Sequence, residues 1–240
     1  MKATNVETGV GRGTAPPFRE NTPAWLAGIA PEAVAGIDGS LLDAVFTAYQ
    51  SPGRYYHSWQ HILNCLAQFK RTTFDEPRAV LLALLFHDAI YVAGRRDNER
   101  ESADLAARLM QDSSNVTARE RDAVVGMILL TASHHIASPP SEDAGKFLDI
   151  DLSVLGADWP RYEAYARGVR REFCPSVVGD FKFCLGRCKF LKSVLAQPHI
   201  FLTPAMRSRC EHRARENIAR EIAGLAMELG WIGRLIARWV

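Results

Sequence analysis

The sequence of 240 residues predicts an all-α fold, on three observations. From Trp25 onward, apolar residues recur at spacings of three and four, the mark of one buried face per helix. Runs alternating apolar with polar residues are nearly absent, so strands have little to build on. The periodic stretches are bounded by Pro, Gly and capping residues of the kind that start and stop helices.

Residues 1–22 are rich in Gly, Thr, Pro and charge without apolar period, and are expected to form a flexible tail, extended around Pro16-Pro17. Residues 23–240 are expected to form one domain, a length that buries a substantial core. Leu41, Leu42, Val45, Phe46 and Tyr49 mark a first helix face, closed by Ser51-Pro52-Gly53. Tyr55 to Phe69 repeats the spacing, and Pro77 suits the first turn of the next helix, which runs to Leu85. Beyond Gly94 a polar loop leads into a helix over Asn98 to Met110. Thr117 with Glu120 has the form of a capping box ahead of the run Val124 to Leu130. Ser138-Pro139-Pro140-Ser141 reads as a loop, followed by a short apolar helix from Lys146 to Gly156 that two aspartates interrupt. Tyr162 to Phe173, Val177 to Leu195 and Arg207 to Leu229 complete the set. The Arg- and Glu-rich stretch Arg207 to Glu221 reads as a solvated helix laced with ion pairs.

Composition excludes several classes of function. Hydrophobic residues make up 48% and charged residues 23%, as in an ordinary globular protein. A net charge of +2 without a dense basic block argues against a nucleic-acid polymer as partner. No run of about 18 apolar residues suggests a membrane span, and no basic segment followed by an apolar stretch suggests a secretory signal. Five cysteines do not make a disulfide framework, and Cys184 and Cys188 read as buried thiols rather than a zinc pair. A cytoplasmic protein is expected.

The chemistry centres on His87-Asp88, set inside the apolar run Leu84 to Tyr91. An unpaired carboxylate there costs several kcal/mol (about that order) to bury, and a divalent cation would compensate both side chains at once. His57 and His61 precede the pair, and His134 and Asp149 follow it. His57 and His61 are four apart and share one helix face. Donors on four helices can converge on one ion, so the pattern points to a metal-dependent hydrolase.

The order His61, His87-Asp88, Asp149 resembles the HD superfamily of metal-dependent phosphohydrolases, with Lys146-Phe147-Leu148-Asp149 resembling the last motif of its alarmone hydrolases. More narrowly, the chain resembles a bacterial group of predicted HD-superfamily phosphohydrolases over roughly residues 25–230. Tyr56-His57, His61-Ile62, Phe86-His87-Asp88, Asn98-Glu99, Ser102-Ala103, Thr131 with His134, and Phe147 to Leu152 carry the resemblance, which Gly186-Arg187 and Ala214-Arg215 through Asn217 extend. It implies an HD-domain-like helical bundle with additional C-terminal helices, holding one or two divalent ions (Mn, Fe, Co, Ni, Zn or Mg). The implied ligands are His61, His87, Asp88 and Asp149. His57 stands as an alternative or supplement to His61, and Asp151 as an alternative to Asp149. Residues two apart on a helix face different ways, so Asp149 and Asp151 are not both expected on one ion. His134 is the candidate for an extra ligand or phosphate contact, and His135 is expected to face outward.

The reaction so implied is hydrolysis of a phosphoester or phosphoanhydride of a small molecule, with a nucleotide as the leading substrate class. Asp88 or Glu99 would accept the proton of the attacking water. Glu99 also suits its place as a helix-start residue. Arg54, Arg95 and Arg187 are the leading phosphate-binding candidates, with Arg96 and Arg170 behind them. Tyr55, Tyr56, Trp59 and Tyr91 flank the motifs, and one of them could stack on a nucleobase while the rest pack the core. Two alternatives stand beside this reading: a metal-stabilised nucleotide-binding or regulatory module without turnover, and a di-iron oxygenase on the same scaffold.

Overall fold

The computed structural model describes residues 26, 28, 31–35, 37–111, 113–133 and 138–230, and the expected tail at residues 1–22 lies outside them. All regular structure among the described residues is helical, as the sequence predicts. In chain order the helices are α1 (Pro31–Val34), α2 (Gly39–Ala48), α3 (Trp59–Phe69), α4 (Pro77–Phe86) and α5 (Asn98–Gln111). α6 (Ala118–Leu130) and α7 (Glu142–Asp151) follow, then a 3-10 turn (Leu152–Gly156), α8 (Trp159–Phe173), α9 (Asp180–Leu195) and α10 (Pro204–Glu228).

The helix α4 sets the architecture. Ala79 to Phe86 are buried without exception, and a helix apolar on every side can only lie in the middle of a core. Against it pack α1, α3, α5, α6 and α7. The capping box at the start of α6 forms as expected: Glu120 N–H donates to Thr117 Oγ1 at 3.2 Å, and Thr117 N–H to Glu120 Oε2 at 3.0 Å. A second core begins at Leu155 and gathers residues of the 3-10 turn, α8, α9 and α10. α10 lies so close to the 3-10 turn that a Cβ on Gly156 would stand 2.6 Å from Cys210 Cβ and 3.0 Å from its carbonyl oxygen. Only glycine fits there.

Several boundaries differ from expectation for local reasons. The helix expected from Tyr55 starts at Trp59, because residues 54–58 form an irregular loop held by side chains of other elements. The stretch Lys146 to Gly156 divides in two: α7 starts early, where Ser141 Oγ accepts from Ala144 N–H at 3.1 Å, and the 3-10 turn follows Asp151. The charged face of α10 is more than a solvated surface. Arg215 pairs with Glu211 at 2.8 Å, but it also donates to the carbonyls of Leu195, Gln197 and Pro198. Glu211 in turn accepts from the N–H groups of Ile200 and Phe201. These charges fasten the chain that joins α9 to α10. All five cysteines are free thiols, with Cys184 and Cys188 buried.

Candidate metal centre

Four side chains from three helix ends meet in one place. His61 enters from the first turn of α3 and is buried. His87 caps the C-terminus of α4, Asp88 follows it, and Asp151 is the last residue of α7. The His87 Nδ1–H donates to the Leu84 carbonyl at 2.9 Å, which leaves the Nε2 lone pair turned into the cluster, the orientation that metal-ligating histidines adopt. His61 Nε2 lies 3.1 Å from His87 Nε2, 3.1 Å from Asp151 Oδ1 and 3.7 Å from Asp88 Oδ2. His87 Nε2 lies 3.1 Å from Asp88 Oδ2 and 3.4 Å from Asp151 Oδ1.

These separations are those of donors arranged around an ion. With bonds of about 2.0–2.1 Å, adjacent donors of a tetrahedral centre stand about 3.3 Å apart. Among the described residues, His61, His87 and Asp88 form one group able to hold a metal ion, and His61, Cys65 and Asp151 form a second that shares His61. The Cys65 thiol lies 3.7 Å from His61 Nε2; burial, reinforced by Asp151 and Asp88, pushes its pKa well up. Burial also opposes a charged His87, yet Asp88 and Asp151 beside it hold its pKa well above the usual value. For the two aspartates burial works against ionisation, and the neighbouring histidines overcome it, so both carboxyls sit below the ordinary range. The protein thus concentrates negative charge around two imidazoles whose nitrogens face each other.

The loop before α3 is organised by a residue that sequence reasoning missed, Glu172 on α8. Its Oε1 accepts from the N–H groups of Tyr55, Tyr56 and His57 at 2.8, 2.7 and 2.9 Å. Its Oε2 lies 2.7 Å from His57 Nδ1 and accepts from Tyr91 Oη at 3.1 Å. One signal for it existed: Glu172 falls three and seven residues after Val169 and Tyr165, so it shares their inward face. Gly168 lets α8 approach this loop, since a Cβ there would stand 3.1 Å from Tyr56 Cβ and 3.3 Å from the Tyr55 carbonyl. On the other side, Asn98 and Ser102, one turn apart on α5, bond both the N–H and the carbonyl of Val92 and Ile90 respectively. They clamp the chain just after the His-Asp pair.

Several expected site residues lie elsewhere. Asp151, not Asp149, reaches the cluster. The Asp149 carboxylate instead accepts from Leu202 N–H at 2.6 Å, Thr203 N–H at 2.8 Å and Thr203 Oγ1–H at 2.6 Å. It anchors the start of α10, where negative charge is favourable, although burial leaves its pKa raised. His57 stands beside the cluster with Nδ1 on Glu172, rather than in either donor group. Arg54 gives its guanidinium to the carbonyls of His57, Asp88 and Ala89 at 2.9, 2.7 and 2.7 Å, tying the loop before α3 to the His-Asp pair. Arg95 pairs with Asp97 and Glu101, Arg170 with Asp180 and Glu228, and buried Arg187 with Glu221 at 2.8 Å. Among the aromatic residues, Tyr91 stacks on His57 with centroids 4.0 Å apart, Trp59 packs edge-on against Phe46 and Tyr49, and Arg171 covers Tyr55. His134 and His135 lie outside the described residues.

Beside the cluster opens a cavity of about 500 Å³ whose wall includes Asp151, His57 and Glu99. Most of the remaining lining comes from the second core, with Leu155, Val169, Phe183, Phe190, Val194 and Ile200 prominent. Arg95, Lys182 and Arg187, with the imidazoles of His57 and His199, are its basic residues. Among the described residues, no helix is long and apolar enough to cross a membrane. No family model, curated protein or solved structure matches the chain.

Proposed function

We propose that this protein is a metal-dependent phosphohydrolase of the HD type, with His61, His87, Asp88 and Asp151 as the ligands of a divalent cation. One observation carries the reading: two buried imidazoles face each other through Nε2 at 3.1 Å, with two carboxylates at 3.1–3.7 Å closing the set. A mixed imidazole and carboxylate set suits Mn, Fe, Co, Ni or Zn, and Mg less well. A cation there supplies Lewis acidity toward the phosphoryl oxygen and lowers the pKa of water.

The chain's own residues handle protons and position. Hydrolysis forms one P–O bond to water and breaks the P–O bond to the leaving group, so a proton must leave the water and one must reach the departing oxygen. His57 suits that exchange. Glu172 fixes its Nδ1 at 2.7 Å, which leaves Nε2 as the free nitrogen of a residue that lines the cavity. Glu99 lines the same cavity and serves as the second acceptor. Arg54 holds the backbone on either side of the centre rather than the phosphate. The oxygenase alternative calls for more histidines than His61 and His87, and no third joins the donor groups among the described residues.

Metal content and turnover test the reading together. Purified protein supplied with Mn, Ni, Co or Mg is expected to hydrolyse phosphorylated metabolites. His87→Ala and Asp151→Ala are expected to lose both the ion and the activity. Asp149→Ala is expected to keep its metal and lose about 2–4 kcal/mol of stability, because it strands two backbone N–H groups. Normal metal in Asp151→Ala, or a folded Asp149→Ala without metal, would reverse the assignment.

A further inference from the structure

The cavity beside the centre is built for something other than a polyphosphate. Its wall is mostly aliphatic and aromatic, and its volume of about 500 Å³ is that of a site for a drug-sized molecule. Three of its basic side chains are already matched: Arg187 by Glu221, Arg95 by Asp97 and Glu101, and His57 by Glu172. Lys182 is exposed and has no ion pair among the described residues. One unmatched ammonium and the exposed imidazole of His199 are all that the wall offers beside a metal ion, which suits a single phosphate better than a chain of them. Several of the cavity's polar side chains are also engaged already: Asn98 by Val92, Tyr91 by Glu172, Tyr165 by Arg187 and the Gln197 amide N–H by Ser193.

Gly186 gives the cavity a point of test. It lies in the middle of α9 and in the cavity wall, and a Cβ at this position meets nothing within 4 Å. A larger side chain can therefore be placed on the wall without a clash.

Resting on the phosphohydrolase reading, we infer that the substrate is a single-phosphate ester of an apolar alcohol, aliphatic or aromatic, with its phosphate at the metal centre and its organic part in this cavity. Water adds to phosphorus, the ester P–O bond breaks, and the apolar alcohol leaves with a proton.

Calorimetric titration of the Mn-loaded full chain with ethyl, butyl, hexyl and octyl phosphonate tests the inference, since these compounds bind without being cleaved. Affinity is expected to rise about fourfold per methylene, the equivalent of ~0.8 kcal/mol per buried CH2, until the cavity is full. Gly186→Phe is expected to flatten the series by filling the space, and Val169→Thr to reduce its slope. A series flat in the wild-type chain, or adenosine mono- or triphosphate binding more tightly than octyl phosphonate, would overturn the inference. The two readings separate cleanly. A steep series without hydrolysis of the matching alkyl phosphates supports the apolar ligand and removes the hydrolase. Hydrolysis of phosphate esters with no dependence on chain length keeps the hydrolase and removes the apolar ligand.

Discussion

The two cores of this molecule are made of different material. In the first, Leu81 to Phe86 of α4 are completely buried, and the polar side chains buried around this apolar centre, such as Asn98, Ser102 and Asp143, bond backbone at its margins. The second buries Glu172, Arg187 and Asn217, and each is satisfied by a named partner. Asn217, for instance, donates to the carbonyls of Leu155 and Ala157 at 2.9 and 2.8 Å. His61, His87 and Asp88 stand on the dry core, so rigid packing positions them, with Arg54, Asn98 and Ser102 pinning the chain around the His-Asp pair. Glu172, which orients His57, and most of the cavity wall belong to the polar core. The candidate metal donors and the wall of the cavity thus belong to opposite halves, and Asp151 sits at the seam between them.

Removing one member of the buried pair Arg187–Glu221 gives the largest expected effect. Arg187→Met leaves Glu221 without its ion-pair partner, held only by the Tyr162 hydroxyl among the described residues, at an expected cost of about 3–5 kcal/mol in urea denaturation. Arg187→Met with Glu221→Leu is expected to recover most of that loss, since the pair is then replaced by apolar volume. Turnover retained in the double variant would assign Arg187 to the frame of the second core. Turnover lost at restored stability would return it to the phosphate, the role its sequence context suggests.

Glu172→Gln comes next in size. Burial lowers the His57 pKa, and Asp88 first and Glu172 next raise it above the usual value; the isosteric amide keeps the volume but withdraws the share due to Glu172. Turnover is expected to fall about 10–100-fold, a part of what a positioned proton-transfer group contributes, with metal content unchanged. The limb of the pH–rate profile that belongs to His57 is expected to move to lower pH. An unchanged profile at reduced rate would make Glu172 a purely structural support of the loop.

The same division explains what could be read from the chain alone. The first core announces itself: an unbroken apolar run must be a central helix, and a His-Asp pair inside it demands compensation. Pro77 and the Thr117–Glu120 box are local signals that need no tertiary partner. The choice between Asp149 and Asp151 was not legible, because a helix turns about 200° in two residues and both directions here lead to buried sites. What decides it is Thr203, more than fifty residues away in sequence. Arg54 and Glu172 were equally hidden, since a charged side chain bonded to distant backbone looks, in sequence, like one bonded to water.

The smallest expected effect follows from the protons that the dry core keeps near its donors. Asp88 and Asp151 raise the His87 pKa in the metal-free protein, while their own pKa values are lowered. Both carboxylates therefore stay ionised throughout the neutral range, and they hold the His87 charge to higher pH than a free imidazole keeps it. A raised folded-state pKa stabilises the metal-free chain below the unfolded value, about 6.5, and that contribution disappears as pH rises through the folded value. A metal ion needs the neutral imidazole, so binding displaces about one proton, and affinity should improve about tenfold per pH unit over that interval and level off above it. Calorimetry in buffers of different ionisation enthalpy counts the released proton directly. Proton release near zero at neutral pH would mean that His87 is already neutral and that the carboxylates do not govern its charge. Release that persists in Glu172→Gln would show that the dry core sets this equilibrium without the polar one.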